Sequence, residues 1–273
     1  MRDQIVVSEQ KFHSEKFGDY KIKIVKPAAA RVSLVSFTSL PKDVMYLATR
    51  AYKGIYDTLD HYNDPDYYSR EQAFDDIMNT KLQTPLEMVH TLWLLNDVTR
   101  AFTHQLVRYR VGTSFIQESM RFLGMKKEFK VLVTGSSADT VIDEDEPYSN
   151  FEEYVSAVQT SILSYVDLIE RGVPSEDARG VLPTNILTSI YFDCSFRTLQ
   201  GLFPQRLCCQ AQPGEWQPIL QEMRRQIKAS MGEELEALLR APYELGKDCG
   251  YRASFDRPCK WNVSEPKIIR TGG

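Results

Sequence analysis

The 273-residue chain lacks most of the short motifs that would declare a chemistry outright. No Gly-x-Gly-x-x-Gly and no P-loop occurs, so neither glycine-rich cradle for a nucleotide phosphate is present. No Gly-x-Ser-x-Gly elbow exists, and Ser119 has no histidine nearby in the sequence to activate it. Histidine is scarce, and His13, His61, His90 and His104 form no His-x-x-x-His pair; His90 and His104 read as hydrogen-bonded core or pocket-wall residues rather than bases. The cysteines (Cys194, Cys208, Cys209, Cys249, Cys259) contain no Cys-x-x-Cys, so no metal site is expected. None has the sequence context of a nucleophilic thiol, and helix-face or core positions suit them better. Their odd number, after an N-terminus (Met1, Arg2, Asp3, Gln4) without a signal-peptide core, reads as reduced thiols in the cytoplasm, with a Cys249–Cys259 link the less favoured reading. No apolar run approaches membrane-spanning length. No long block of like charge is present and the formal net charge is −4, which argues against broad nucleic-acid binding while leaving room for a local basic pocket.

What the chain does have is a segment from Gln105 to Phe122 holding Arg108, Arg110 and Arg121, with Gln105, Gln117, Glu118 and Ser119 among them. Arginine is the side chain best suited to planar, bidentate recognition of phosphates and of imide or carboxylate edges. Leu106, Val107, Phe115, Ile116, Met120 and Phe122 are threaded between those charges, a pattern that aims several cations into one partly buried space. A basic surface helix running into a loop is the competing reading.

Period-two runs at Tyr20–Val25 and Val32–Phe37 predict strands. Helical spacing follows from Pro41 to about Leu59, and Ser69 with Gln72 makes a capping box for a second helix. Met88–Leu95 reads as a buried strand, and a helix from Asp97 would carry Gln105 and Arg108 on neighbouring faces and stop at Arg110–Gly112. Phe115–Phe122 is then a loop or strand. Residues 135–149 form an acidic, turn-rich loop. Helices are predicted over Phe151–Arg171, over a Ser175-capped Ser175–Leu182, over Thr198–Ala211 and over Glu215–Leu239, with a strand at Ile186–Phe192. Residues 242–273 have no strong periodicity. The sum is an α/β (α+β) protein, a mixed or antiparallel sheet flanked by long helices.

Three spaced groups resemble the flavin-dependent thymidylate synthase family (ThyX): Thr84-Pro85-x-Glu87, Gln105-x-x-Arg108-x-Arg110, and Glu118-Ser119-x-Arg121-Phe122. Arg179 before Leu182-Pro183, Ser195-x-Arg197-x-Leu199, and Arg206-x-x-x-x-Ala211-Gln212 continue the likeness, which covers roughly residues 30–240 in the family's order. Departures are Tyr109 in place of the signature histidine, eight residues rather than seven between Arg110 and Ser119, Leu82 for a histidine, and Ser195 and Gly201 where asparagine is usual. The extra residue leaves open whether Gln117 or Glu118 fills the family's glutamate position.

The resemblance implies one domain over residues 1–273 that makes dTMP from dUMP. Methylenetetrahydrofolate would give the carbon, and FAD reduced by NADPH the hydride. By similarity, Gln105, Arg108, Gln117, Glu118, Ser119, Arg121, Arg179 and Arg206 would hold dUMP, and Arg206 would be the catalytic group facing the uracil. Thr84, Arg108, Tyr109, Arg110, Glu118, Ser195, Arg197 and Gly201 would contact FAD. The family also implies a homotetramer with shared active sites. Two other readings remain: a related flavin- and folate-dependent enzyme leaving a different C5 group, such as hydroxymethyl, on a pyrimidine deoxynucleotide, and an inactive nucleotide- or RNA-binding relative.

Overall fold

Alternating side chains near the N-terminus bury one face of a hairpin, and that face is the start of a core. The computed structural model describes residues 5–26, 31–54, 70–79, 83–125, 127–133, 150–207 and 215–245. The elements begin with β1 (Val6–Ser14), β2 (Gly18–Val25), β3 (Arg31–Phe37), α1 (Pro41–Tyr52) and α2 (Arg70–Asn79). A 3-10 turn over Thr84–Met88 leads into β4 (His90–Thr99), α3 (Arg100–Leu106), β5 (Thr113–Gln117), a 3-10 turn over Met120–Met125, and β6 (Glu128–Leu132). Then come α4 (Asn150–Glu170), α5 (Ser175–Ala178), β7 (Leu187–Ser195), α6 (Phe196–Arg206), α7 (Trp216–Met231) and α8 (Glu233–Ala237). This is a mixed α/β architecture with a three-stranded sheet in the order β1-β2-β6 and a four-stranded sheet in the order β3-β4-β7-β5.

The chain divides into two compact units. In the first (Met1–Arg31, Leu95–Arg108, Ile116–Ile190), β1 and β2 pair antiparallel, with Phe12 opposite Tyr20. The β2 and β6 strands run parallel, with Ile22 opposite Phe129 and Ile24 opposite Val131. Tyr20, Ile22 and Ile24, every second residue of β2, lie on one face and are buried with Phe129, Val131, and Val158, Ile162, Tyr165 and Val166 of α4. Tyr20, Phe129 and Tyr165 meet edge to face, at centroid distances of 5.8 and 6.1 Å. In the second unit (Val32–Leu94, Tyr109–Phe115, Tyr191–Gly273), Trp93 and Trp216 are the largest buried side chains. Gln226 of α7 ties that helix to the sheet's edge: its Oε1 accepts from Leu34 N at 2.7 Å and its Nε2 donates to Val32 O at 2.7 Å. A side-chain amide thus satisfies backbone groups that an edge strand leaves unpaired.

Several expected boundaries move for identifiable reasons. The strand expected to end near Leu95 continues to Thr99, because Thr91, Trp93, Leu95 and Val98 still face inward. Helix α3 starts at Arg100 and not at Asp97, since the Thr99 hydroxyl accepts from Phe102 N at 2.9 Å as its cap, while Asp97 itself has φ 56°. It ends at Leu106, so Arg108 and Arg110 are not helical and Gly112 is not its stop. The helix expected over Glu215–Leu239 breaks into α7 and α8 at Gly232, whose φ of 104° a helix cannot hold. Ser175 is the first helical residue rather than the cap, and Pro174 takes that place. Strand β6, short and paired in parallel to a remote partner, answers to no element expected from the sequence. The expected cap Ser69, the loop 135–149, Leu82, Ala211-Gln212, the cysteines other than Cys194, the stretch beyond Tyr52 to Leu59 (from residue 55), and the tail from residue 246 lie outside the described residues.

Candidate active site

The segment after β4 begins the site. In the first unit, α3 carries Gln105, and the chain returns through β5 to present Gln117, Glu118 and Ser119. Gln117 Nε2 donates to Thr103 Oγ1 of α3 at 2.7 Å, which fixes the amide against the helix bearing Gln105. Glu118 follows the end of β5: its N–H donates to Ser189 O at 3.0 Å, and its carbonyl accepts from Arg100 Nη2. Glu118 lines a cleft of about 330 Å³ with Asp97, Lys130 and Thr188. Ser119 Oγ accepts from Arg121 N at 3.3 Å, which shapes the turn that presents Arg121.

Three arginines then share few acids. Arg121 Nε pairs with Glu176 Oε1 at 2.8 Å, and Arg179 Nε donates to the Glu176 carbonyl at 3.1 Å. Backbone and Ser175 hydrogen bonds, more than the arginines, hold the Glu176 carboxyl below the usual carboxylate range. Burial pushes the Arg100 guanidinium down, the Glu118 carboxylate offsets this, and the Arg179 charge adds to the depression. Arg121 is exposed, and so are Ile116 and Phe122, so the apolar residues threaded through this segment do not all anchor it; Leu106 alone among them is buried. The Arg108 N–H donates to Gln105 O at 3.4 Å, while its guanidinium is exposed and has no hydrogen bond or ion pair among the described residues.

The second unit holds the other group. Thr84 opens a 3-10 turn whose Pro85 and Leu86 are buried, and Arg197 of α6 reaches this turn through Nη1 to Gln83 Oε1 at 2.9 Å. Ser195 caps α6: its Oγ accepts from Thr198 N at 3.3 Å and lies 3.1 Å from Thr198 Oγ1. Gly112, at φ 62°, presses against that cap, its carbonyl accepting from Ser195 N at 2.9 Å. Thr198 Oγ1 also donates to Val111 O at 2.7 Å, so the turn following Tyr109 and Arg110 is bolted to the start of α6. Arg110 is exposed and, among the described residues, has no hydrogen bond or ion pair. Gly201 sits on an exposed face of α6 with open space around it.

At the far end of α6 stands Arg206. Its Nε donates to the Tyr109 hydroxyl at 3.0 Å, and that hydroxyl donates to Gln205 Oε1 at 2.8 Å. The guanidinium carbon lies 5.6 Å from the Tyr109 ring centroid and 4.7 Å from that of Trp216. Sequence reasoning passed over Trp216 and Gln205; an aromatic at the head of an amphipathic helix is a core signal, and nothing in its spacing ties it to Arg206.

Each unit offers a cation to an anionic ligand, Arg108 in the first and Arg110 in the second. Arg108 and Arg110 carry uncommitted guanidiniums, the form that pairs with phosphate oxygens. A thiol nucleophile is not on offer among the described residues, because burial pushes the Cys194 thiol up by more than its hydrogen bond with Thr91 lowers it.

Comparison with known proteins shows the family. The family described as thymidylate synthase complementing protein (Thy1) matches residues 30–231. The chain belongs to that family, the flavin-dependent thymidylate synthases. It is 32% identical to the flavin-dependent thymidylate synthase of Geobacter sulfurreducens, over 72% of this chain and 82% of the relative. It is 30% identical to that of Pyrococcus furiosus, over 67% and 72%. Among solved structures, the UMP/dUMP methylase PolB from Streptomyces cacaoi, crystallised with 5-Br dUMP, shares the fold at a TM-score of 0.58 and 17% identity, covering 78% of this chain and 95% of that one. The family is one of methyl-transferring flavoenzymes, and no helix among the described residues is long and apolar enough to cross a membrane.

Proposed function

We propose that the chain catalyses the reductive methylation of dUMP to dTMP, as one domain over residues 1–273 working in a cytoplasmic homotetramer. Methylenetetrahydrofolate and NADPH are the co-substrates. FAD, when bound, supplies the hydride that completes the methyl group. The observation that carries this reading is Arg206, a guanidinium held at the end of α6 by Tyr109 and Trp216, in a chain of this family.

Arg206 faces the uracil edge and stabilises the negative charge that develops on the ring, an electrostatic contribution that grows towards the transition state. Gln105 and Gln117 orient the base and ribose. Gln117 rather than Glu118 takes the family's glutamate position, a reading supported by the hydrogen bond that fixes its amide against α3. Ser119, Arg121 and Arg179 take the 5′-phosphate, with Arg121 exchanging the exposed Glu176 carboxylate for it. Arg108 and Arg110 pair with the phosphates of FAD, while Thr84, Arg197 and Gly201 line its approach. Tyr109 and Ser195 serve the same region through Arg206 and the α6 cap. The exposed Ile116 and Phe122 supply apolar surface for contacts between subunits.

The test is the visible spectrum of the purified protein, then anaerobic NADPH addition with and without dUMP, then product mass with labelled folate. A flavin band that bleaches and a product heavier by one methyl are expected. A protein that cannot be loaded with FAD, or a product carrying hydroxymethyl, overturns the reading.

A further inference from the structure

Arg206 is the last residue of α6, a position where a long side chain ordinarily keeps its rotamer freedom. The preceding turn contains Pro204, which has no N–H to donate back along the helix, so the backbone there is weakly held. A guanidinium that must meet a planar uracil edge in one orientation needs restraint from elsewhere. Trp216, 1% exposed at the start of α7, offers an immobile indole face 4.7 Å from the guanidinium carbon. Tyr109 offers a second ring at 5.6 Å and an oxygen that accepts from Arg206 Nε at 3.0 Å. That oxygen also donates to Gln205 Oε1, so one atom accepts a hydrogen bond from the arginine and donates one to the residue before it. An imidazole nitrogen, in the histidine usual at this position, is donor or acceptor but not both at once.

We propose that Trp216 and Tyr109 form an aromatic clamp that sets the plane of the Arg206 guanidinium, and that both are positioning residues for the methylation. The clamp rests on the role given to Arg206 above. Two π-faces hold the cation by attraction to its delocalised charge, and the Tyr109 oxygen removes the remaining freedom, rotation within that plane. The phenol takes the place of the signature histidine without taking a proton from the substrate. Because the arginine's charge matters more in the transition state than in the nucleotide complex, loosening the clamp lowers kcat more than it raises KM for dUMP.

The experiment compares wild type with Trp216→Phe, Trp216→Leu, Tyr109→Phe and Tyr109→His, each full length and loaded with FAD. Trp216→Leu is expected to lower kcat about 5- to 30-fold with KM for dUMP within about twofold, from the loss of one cation–π contact. Trp216→Phe keeps a face and recovers most of that rate. Tyr109→Phe keeps the stack but loses the oxygen, and falls about 10- to 100-fold, the worth of one charge-assisted hydrogen bond. Equal losses in Trp216→Phe and Trp216→Leu would mean packing volume rather than the π-face, and would overturn the proposal. So would an unchanged kcat in a Trp216→Leu protein of native flavin content. A second readout needs no turnover: Arg206→Met shifts the tryptophan emission, and the shift vanishes when Trp216→Phe is already in place. An emission shift that persists in the Trp216→Phe background, or none at all, counts against the clamp. A wild type that makes no dTMP fails the functional reading instead, and the emission experiment then decides the clamp alone.

Discussion

Replacing Gly112 by alanine tests how the signature turn is joined to α6. Gly112 has φ 62°, a region that costs an L-residue about 1 kcal/mol. A Cβ there would stand 2.8 Å from Ser195 Oγ and 3.3 Å from both Ser195 Cβ and Thr198 Oγ1. Ser195 is 3% exposed and held through its N–H to Gly112 O at 2.9 Å, so it cannot swing clear without giving up its capping bond to Thr198 N. Loss of such a cap costs about 1 kcal/mol. Strain and lost cap together give about 2 kcal/mol of destabilisation. Urea unfolding of the FAD-loaded protein, followed by tryptophan emission, measures it as a lower midpoint at unchanged slope. The double-mutant cycle with Ser195→Ala is the sharper arm. Removing Ser195 Oγ removes the nearest clash, so the cost of Gly112→Ala in that background should shrink to the strain alone, a coupling of about 1 kcal/mol. Strictly additive costs, or a Gly112→Ala protein as stable as wild type, would refute this account of the junction.

The Arg121–Glu176 pair is exposed on both sides, and such pairs are worth at most about 1 kcal/mol. Glu176→Gln is therefore expected to tighten dUMP binding up to about fivefold, read by titrating the flavin absorbance change; weaker binding would place Glu176 on the nucleotide instead. Arg108→Gln and Arg110→Gln should each raise the FAD dissociation constant about tenfold, measured by ultrafiltration, while leaving the unfolding midpoint of the apoprotein in place, since neither side chain has a partner among the described residues to lose. Ile162, fully buried on α4 beside Ile22 and Phe129, should cost about 2–5 kcal/mol when cut to alanine. Burial pushes Glu128 up, but its hydrogen bond to Lys23 at 2.6 Å and the Lys23 and Lys130 charges outweigh that and leave it below the usual range. A depressed carboxylate stabilises above its unfolded pKa, so this contribution is lost as pH falls through the folded value, and Lys23→Met should flatten the acid limb of the stability profile.

The parts of this fold legible in the sequence are those whose signal is local. Tyr20, Ile22 and Ile24 alternate into one core, and Tyr154 to Ile169 repeat at helical spacing, so β2 and α4 follow from periodicity. Thr99 and Ser195 were legible too, since each is a hydroxyl residue just ahead of an apolar-periodic run, the ordinary cap signal. The starts expected at Asp97 for α3 and at Thr198 for α6 fall on either side of those caps. Strand β6 was not legible: it is short, and its pairing with β2 depends on residues about a hundred positions away.

The site divides along the same line. Gln105, Arg108, Arg110, Ser119 and Arg121 fall within one segment, and a spaced pattern is enough to single them out. What orients them is contributed from a distance. Tyr109 and Arg206 are 97 positions apart, and no periodicity links them or brings Trp216 between. The departure at Tyr109, read along the sequence, is a missing histidine and a doubt about flavin contact. In three dimensions the same phenol is an acceptor for Arg206, the arginine proposed to face the substrate, which turns a lost ligand into a gained support. A substitution within a signature is thus interpretable only with its neighbours in hand. Tyr109→His, which restores the signature, should for that reason lower kcat rather than raise it, because an imidazole cannot both accept from Arg206 and donate to Gln205 through one atom.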